Sequence, residues 1–195
     1  MKVLKVLALI VAFGSTAVAA TPENLTCQVE LHDPNLEMVL DGSVKLQVLA
    51  QGFEIAEGPV WIPSMKTLLF SDVKGHKIHQ WSEEKGSDVF LSPGGHTGRV
   101  PFFEGGVLGS NGLALDAAGN LIICQHGDRR LVKLAFDNTT QEALSTLTAT
   151  HKGKRFNSPN DLTIAANGDI YFTAPPNGHC DIANSVHGGR WKLQQ

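Results

Sequence analysis

The chain has 195 residues, a formal net charge of −3, 42% hydrophobic and 18% charged residues. The slight negative balance excludes a basic nucleic-acid binder, and so few charges at this hydrophobicity exclude a disordered chain. Twenty glycines and nine prolines favour a turn-rich all-β domain over a helical bundle.

Lys2 and Lys5 precede an apolar run from Val6 to Phe13, and Ala17-Val18-Ala19 offers small residues for cleavage. Residues 1–20 therefore read as a secretory signal peptide, which implies a secreted or periplasmic protein. The run is too short to span a membrane, and no later stretch is apolar long enough, so no membrane association is expected after cleavage. Residues 21–47 read as an N-terminal extension and residues 48–195 as the folded domain. Cys27, Cys124 and Cys180 allow one disulfide and one leftover thiol, in any of three pairings. No C-x-x-C occurs, which removes zinc-ribbon and thioredoxin-like readings. Cys124 closes the apolar run Leu121-Ile122-Ile123 and reads as a buried small hydrophobe.

Three segments then share one layout. The first runs Glu57-Gly58-Pro59-Val60-Trp61-Ile62, a turn, then Leu68-Leu69-Phe70-Ser71-Asp72. The second runs Asn111-Gly112-Leu113-Ala114-Leu115-Asp116, a turn at Ala118-Gly119-Asn120, then Leu121 to Cys124. The third runs Asn160-Asp161-Leu162-Thr163-Ile164, a turn at Asn167-Gly168-Asp169, then Ile170 to Thr173. Short apolar runs around such turns predict antiparallel hairpins. Third strands are expected at Lys77–Trp81, Leu131–Leu134 and Gly189–Leu193. The leading residues Glu57, Asn111 and Asn160 recur at roughly 50-residue spacing, which points to β-propeller blades. Only about three blades fit where a propeller closes with about four to eight. The expectation is a truncated propeller that needs its missing blades, or a second copy, to close.

Taken together, Glu57-Gly58-Pro59-Val60-Trp61 with Phe70-Ser71-Asp72, Ser110 to Asp116, His126-Gly127-Asp128-Arg129-Arg130, and Asn157-Ser158-Pro159-Asn160-Asp161-Leu162 with Tyr171-Phe172-Thr173 resemble the gluconolactonase family, which includes regucalcin (senescence marker protein). The resemblance spans Val48 to Leu193. It implies about three of the six blades of a propeller with a divalent metal, usually calcium, at its axis, and calcium-dependent hydrolysis of sugar lactones such as gluconolactone. On this resemblance Glu57 is the metal carboxylate, and Asn160 contacts metal or substrate. The family's catalytic carboxylate maps beyond Gln195, so the catalytic base is unknown here. Ala174 stands where the family often has Asp, and Ser158 where regucalcin has Arg, which bears on substrate preference.

First strands of blades line the channel, so Glu57, Asn111 and Asn160 are expected to converge on one axis. One carboxylate and two amide oxygens suit calcium rather than zinc or copper. Glu57 and Asn160 are the metal candidates; Asn111, Asn160 and His126 are the substrate-binding candidates. Asn111 in Asn-Gly also reads as plain turn chemistry, and Asp161 either orients Asn160 or caps the turn. The His126-Gly127-Asp128-Arg129 turn reads as a hairpin loop with Asp128 and Arg129 in solvent, or as a substrate-contacting imidazole at the channel mouth. His76 and His79 read as solvated strand residues on opposite faces. Residues Ser92–Gly98, followed by Phe102 and Phe103, read as a substrate-side loop with an apolar anchor, or as a plain surface loop. No G-x-S-x-G elbow occurs. The competing readings are an arylesterase or broader lactonase, and a non-catalytic calcium-binding propeller domain.

Overall fold

The computed structural model describes residues 30, 32–38, 47–101, 106–137, 140–176, 185–186 and 190–193. The signal peptide, most of the extension, Cys27, Cys180, Phe102 and Phe103 lie outside them. The chain divides into two compact units, residues 1–51 and 52–195. In the first, Pro34–Met38 forms a short 3-10 turn. Among the described residues no helix is long and apolar enough to cross a membrane.

The second unit is built of antiparallel meanders. Strands β1 (Ala56–Ile62), β2 (Thr67–Asp72), β3 (Lys77–Ser82) and β4 (Gly86–Leu91) form one four-stranded sheet in that order. Strands β5 (Ser110–Leu115), β6 (Leu121–Gln125), β7 (Arg130–Leu134) and β8 (Ser145–Thr148) form a second. Short strands β9 (Thr150–His151) and β10 (Lys154–Phe156) precede β11 (Leu162–Ile164) and β12 (Ile170–Thr173). Strand β13 (Ser185–Val186) pairs parallel with β10, and β14 (Arg190–Leu193) pairs antiparallel with β12. The third sheet is thus β11-β12-β14, beside a small β13-β10-β9 sheet. The fold is all-β, a partial propeller of three blades, and each predicted hairpin stands where its apolar runs put it.

The packing explains why the middle strands carry unbroken apolar runs. Strand β6 is buried on both faces. Leu121 and Ile123 join Ile62, Leu69, Ile78 and Leu91 of the first blade in one core. Ile122 and Cys124 face the other way, onto Ile170 and Phe172 of the third and onto Phe156 of β10. Alternate side chains of a strand point to opposite faces, so a strand sandwiched between neighbours has no polar face to show. Each fully buried Leu or Ile contributes about 1.5–3 kcal/mol. Cys124 is fully buried and unpaired, and burial pushes its thiol well up, with the Asp161 charge adding to the shift. Two equivalent hairpin turns close on side chains. Asp116 Oδ1 accepts from the Ala118 and Asn120 N–H groups at 3.0 and 2.8 Å, and Asn167 Nδ2 donates to Asp169 Oδ2 at 2.8 Å.

Candidate functional site at the inner strands

The head of every first strand carries one residue too many for its ladder. Glu57 pairs with Ser71 and Val60 with Leu69, so two residues oppose one. Ser110 pairs with Gln125 and Leu113 with Ile123, with the same excess. In the third blade Asn160 N–H donates to Thr173 O at 2.8 Å, Thr173 N–H donates to Asp161 O at 3.0 Å, and Leu162 pairs with Phe172. An extra residue bends a strand locally and re-aims its side chains. The register makes Asn111 and Asn160 equivalent, but matches them to Gly58 rather than Glu57. Glu57 stands one residue earlier, opposite Ser71 as Ser110 stands opposite Gln125. The reason lies in the first hairpin's shorter turn, Pro63–Lys66, against Asp116–Asn120 and Ala165–Asp169.

The blades are joined at these positions. Gly112 N–H donates to Asn160 O at 2.7 Å, and Ser71 Oγ donates to Asn111 O at 2.7 Å while sharing a hydrogen bond with Ser110 Oγ at 2.8 Å. A side chain on Gly112 would meet Asp161 Cα at 2.8 Å and Asn160 O at 2.9 Å. The three heads consequently share one open cavity of about 310 Å³, lined by Glu57, Gly58, Asn111, Asn160 and Asp161 with Leu113 and Leu162. Asn111 Nδ2 donates to Asn160 Oδ1 at 3.0 Å. Glu57 is exposed, Asn111 is buried and Asn160 half-buried. Asp161 Oδ1 accepts from the Leu162 N–H at 2.9 Å, a local cap, while its side chain lines the cavity. Ser158 is fully buried and its hydroxyl donates to Pro175 O, so it faces the protein rather than the cavity.

These donors fit a hard cation by their chemistry. A carboxylate and carboxamide oxygens on one rim are what calcium takes. Among the described residues no three His, Cys, Asp or Glu stand together as a metal site, so an ion here would depend on carboxamide oxygens beside the Glu57 carboxylate.

His126 lies behind this rim. It is 4% exposed, and neither ring nitrogen has a hydrogen-bond partner. Burial pulls its pKa down to about 4, opposed by the adjoining Asn160 side chain. The rest of its turn departs from the expectation of solvent-facing charges. Asp128 is fully buried and Arg129 is 7% exposed. Asp128 Oδ2 pairs with Arg130 Nη2 at 3.1 Å, and its Oδ1 accepts from the Thr97 and Arg99 N–H groups at 3.0 and 3.3 Å. The Thr97 hydroxyl donates to the same carboxylate. Arg130 Nε donates to Gln125 Oε1 at 2.8 Å, and Gln125 Nε2 to Gly94 O at 3.1 Å. Arg129 Nε donates to Phe156 O at 2.7 Å. Residues 94–99 are therefore tied down through buried polar contacts.

The two strand histidines also differ from expectation. His76 sits in the turn before β3, and its Nε2 accepts from the His96 N–H at 2.8 Å. His79 packs against Phe53 and Phe70, ring centroids 4.7 and 5.6 Å away. Burial lowers the His76 pKa below its ordinary value; His96 lowers it further and Asp128 opposes. Above about pH 6.5 the ring is neutral whether the loop is closed or open, and no penalty arises. As pH falls from there toward the lowered folded value, the open form takes up a proton that the closed form resists, so closure weakens. The His96 amide is expected to lose hydrogen-exchange protection as pH falls below about 6.5. His76→Gln should flatten that dependence, and a protection factor independent of pH would refute it.

The fold and this cavity define a propeller protein with a polar site at the inner ends of its blades. Residues 55–192 match the family described as the SMP-30/gluconolactonase/LRE-like region. The chain belongs to that family. A gluconolactonase from Zymomonas mobilis is 36% identical over 165 residues, which cover 82% of this chain and 46% of that protein. A gluconolactonase structure from Xanthomonas campestris superposes with a TM-score of 0.55 at 30% identity, covering 71% of this chain and 43% of that one. An X-ray structure assigned as a gluconolactonase gives 0.56 at 29%, covering 74% and 46%. The chain spans about half the length of these relatives.

Proposed function

We propose that this chain forms part of a lactonase that hydrolyses small sugar lactones of the gluconolactone kind, with calcium as its divalent cation. The observation that carries the reading is the convergence of Glu57, Asn111 and Asn160 on one cavity, in a chain of the gluconolactonase family. Glu57 and Asn160 would hold the cation through oxygen, Glu57 supplying the charge. When bound there, such a cation polarises the lactone carbonyl and stabilises charge that develops on its oxygen. Asn111, restrained by its bond to Asn160, presents its carboxamide to the hydroxyls of the sugar ring. A carboxylate other than Glu57, which the family pattern places outside this sequence, would take a proton from the attacking water and pass it to the ring oxygen as the acyl C–O bond breaks, so the aldonate forms without a covalent enzyme intermediate. The leader peptide read at residues 1–20 places this activity outside the cytoplasm in the same proposal.

Acid release from gluconolactone, measured with and without a chelator, tests the reading. In a full-length version that carries the remaining blades, release that chelator abolishes and calcium restores is expected, and Glu57→Gln there should remove the metal-dependent part. Calcium binding without acid release would replace the reading with a non-catalytic binding domain. Retained calcium-dependent turnover in Glu57→Gln would reject the role of that carboxylate.

A further inference from the structure

We infer that Ser71 is a positioning residue for Asn111, its buried hydroxyl fixing the peptide from which that asparagine's carboxamide enters the cavity. The inference deepens the lactonase reading and rests on it only where substrate is concerned.

The head of β5 does not hold itself in place. Ser110 pairs with Gln125 and Leu113 with Ile123, which leaves the Asn111–Gly112 peptide between them outside the ladder. A peptide free to turn leaves the backbone angles of Asn111 unfixed, and those angles decide which rotamers its side chain can take. The neighbouring blades supply the restraint. The C=O of this peptide accepts from Ser71 Oγ of the first blade at 2.7 Å, and its N–H donates to Asn160 O ahead of β11 at 2.7 Å. One peptide plane is therefore gripped from both sides. The Asn111 side chain leaves it to line the cavity, and its Nδ2 donates to Asn160 Oδ1 at 3.0 Å.

The grip at the C=O end comes from a side chain whose own place is fixed. Ser71 pairs with Glu57 on one side and with Ile78 on the other, so two ladders seat it. The proton order follows from the partners. A hydroxyl has one proton to donate, and a carbonyl oxygen can only accept. The Ser71 proton therefore lies on Asn111 O, and the 2.8 Å bond between the hydroxyls is donated by Ser110 Oγ. Both serines are 0% exposed. Gly94 packs against them so closely that a side chain there would meet Ser110 Oγ at 3.1 Å. In such surroundings each hydrogen bond of a chain polarises and strengthens the next. Ser71 thus links the strand that carries Glu57 to the peptide that carries Asn111.

The test compares Ser71→Ala with Ser110→Ala in chains shown folded by melting. Both delete one buried hydroxyl, but only the first deletes the donor to Asn111 O. Ser71→Ala should shift the Asn111 carboxamide resonances and speed Gly112 amide exchange about fivefold relative to that of Ile123, whereas Ser110→Ala should keep that ratio within about twofold. Equal changes in both variants, or none in Ser71→Ala, overturn the inference. In wild type the Ser71 hydroxyl proton should exchange slowly, and exchange as fast as that of exposed Ser87 also overturns it. In a version that carries the remaining blades, Ser71→Ala should raise KM for gluconolactone about fivefold and change kcat far less. In an Asn111→Ala background the same substitution should add less than about twofold, because it acts through Asn111. An equal rise in both backgrounds overturns the role. A version that releases no acid from gluconolactone, while Ser71→Ala still speeds Gly112 exchange, sustains the positioning and rejects the lactonase reading instead.

Discussion

Asp128→Asn is expected to lower the melting temperature by on the order of 10 °C. Asp128 and Arg130 are 0% and 3% exposed in their side chains, so water does not screen them. Removing one partner of a buried ion pair leaves the other charge uncompensated and costs about 3–5 kcal/mol. Here the carboxylate also accepts the Thr97 and Arg99 N–H groups, so its loss frees the 94–99 segment. Replacing both partners, as in Asp128→Asn with Arg130→Met, should recover much of the loss, because no bare charge then remains buried. The check is thermal unfolding of the two variants beside wild type. A drop under about 2 °C for the single variant would show the pair to be open to solvent.

Gly58→Ala should be nearly as damaging, for a different reason. A Cβ there would stand 2.3 Å from Asn111 O and 2.9 Å from Gly112 Cα. Asn111 O cannot withdraw freely, because Ser71 Oγ donates to it. The φ of +56° adds the penalty of a left-handed conformation, about 1–2 kcal/mol. Overpacking adds about 1–3 kcal/mol, so a loss of about 3 kcal/mol follows. Gly86→Ala is the control. Its φ is +70° with nothing within 4 Å, so it bears the backbone term alone. Equal destabilisation of the two variants would show that the close approach of the blades contributes nothing.

The blade framework was legible because its central strands are buried on both faces and so carry runs such as Leu121-Ile122-Ile123-Cys124. Strands β4 and β8 left no such mark. Gly86–Val89 and Ser145–Thr146 are exposed, so their composition reads as turn. The β9-β10-β13 sheet escaped notice because its strands are only two or three residues long and draw on distant parts of the chain. The cavity-lining residues stood out as polar side chains ahead of apolar strands. The register did not, since matching Glu57 to the two asparagines overlooked a turn one residue shorter. The Asp128–Arg130 pair was illegible for a physical reason: a run of Gly, Asp and Arg between strands looks solvated, and only the segment folded across it from residues 94–99 removes the water.

The surplus residue at the head of each inner strand has an evolutionary meaning. Asn111 falls outside the pairing that holds its sheet together. A substitution of that side chain can alter what the axis recognises and leave the ladder's backbone pairing in place. Selection can therefore revise the chemistry of such a protein one blade at a time, which helps a single architecture serve many substrates.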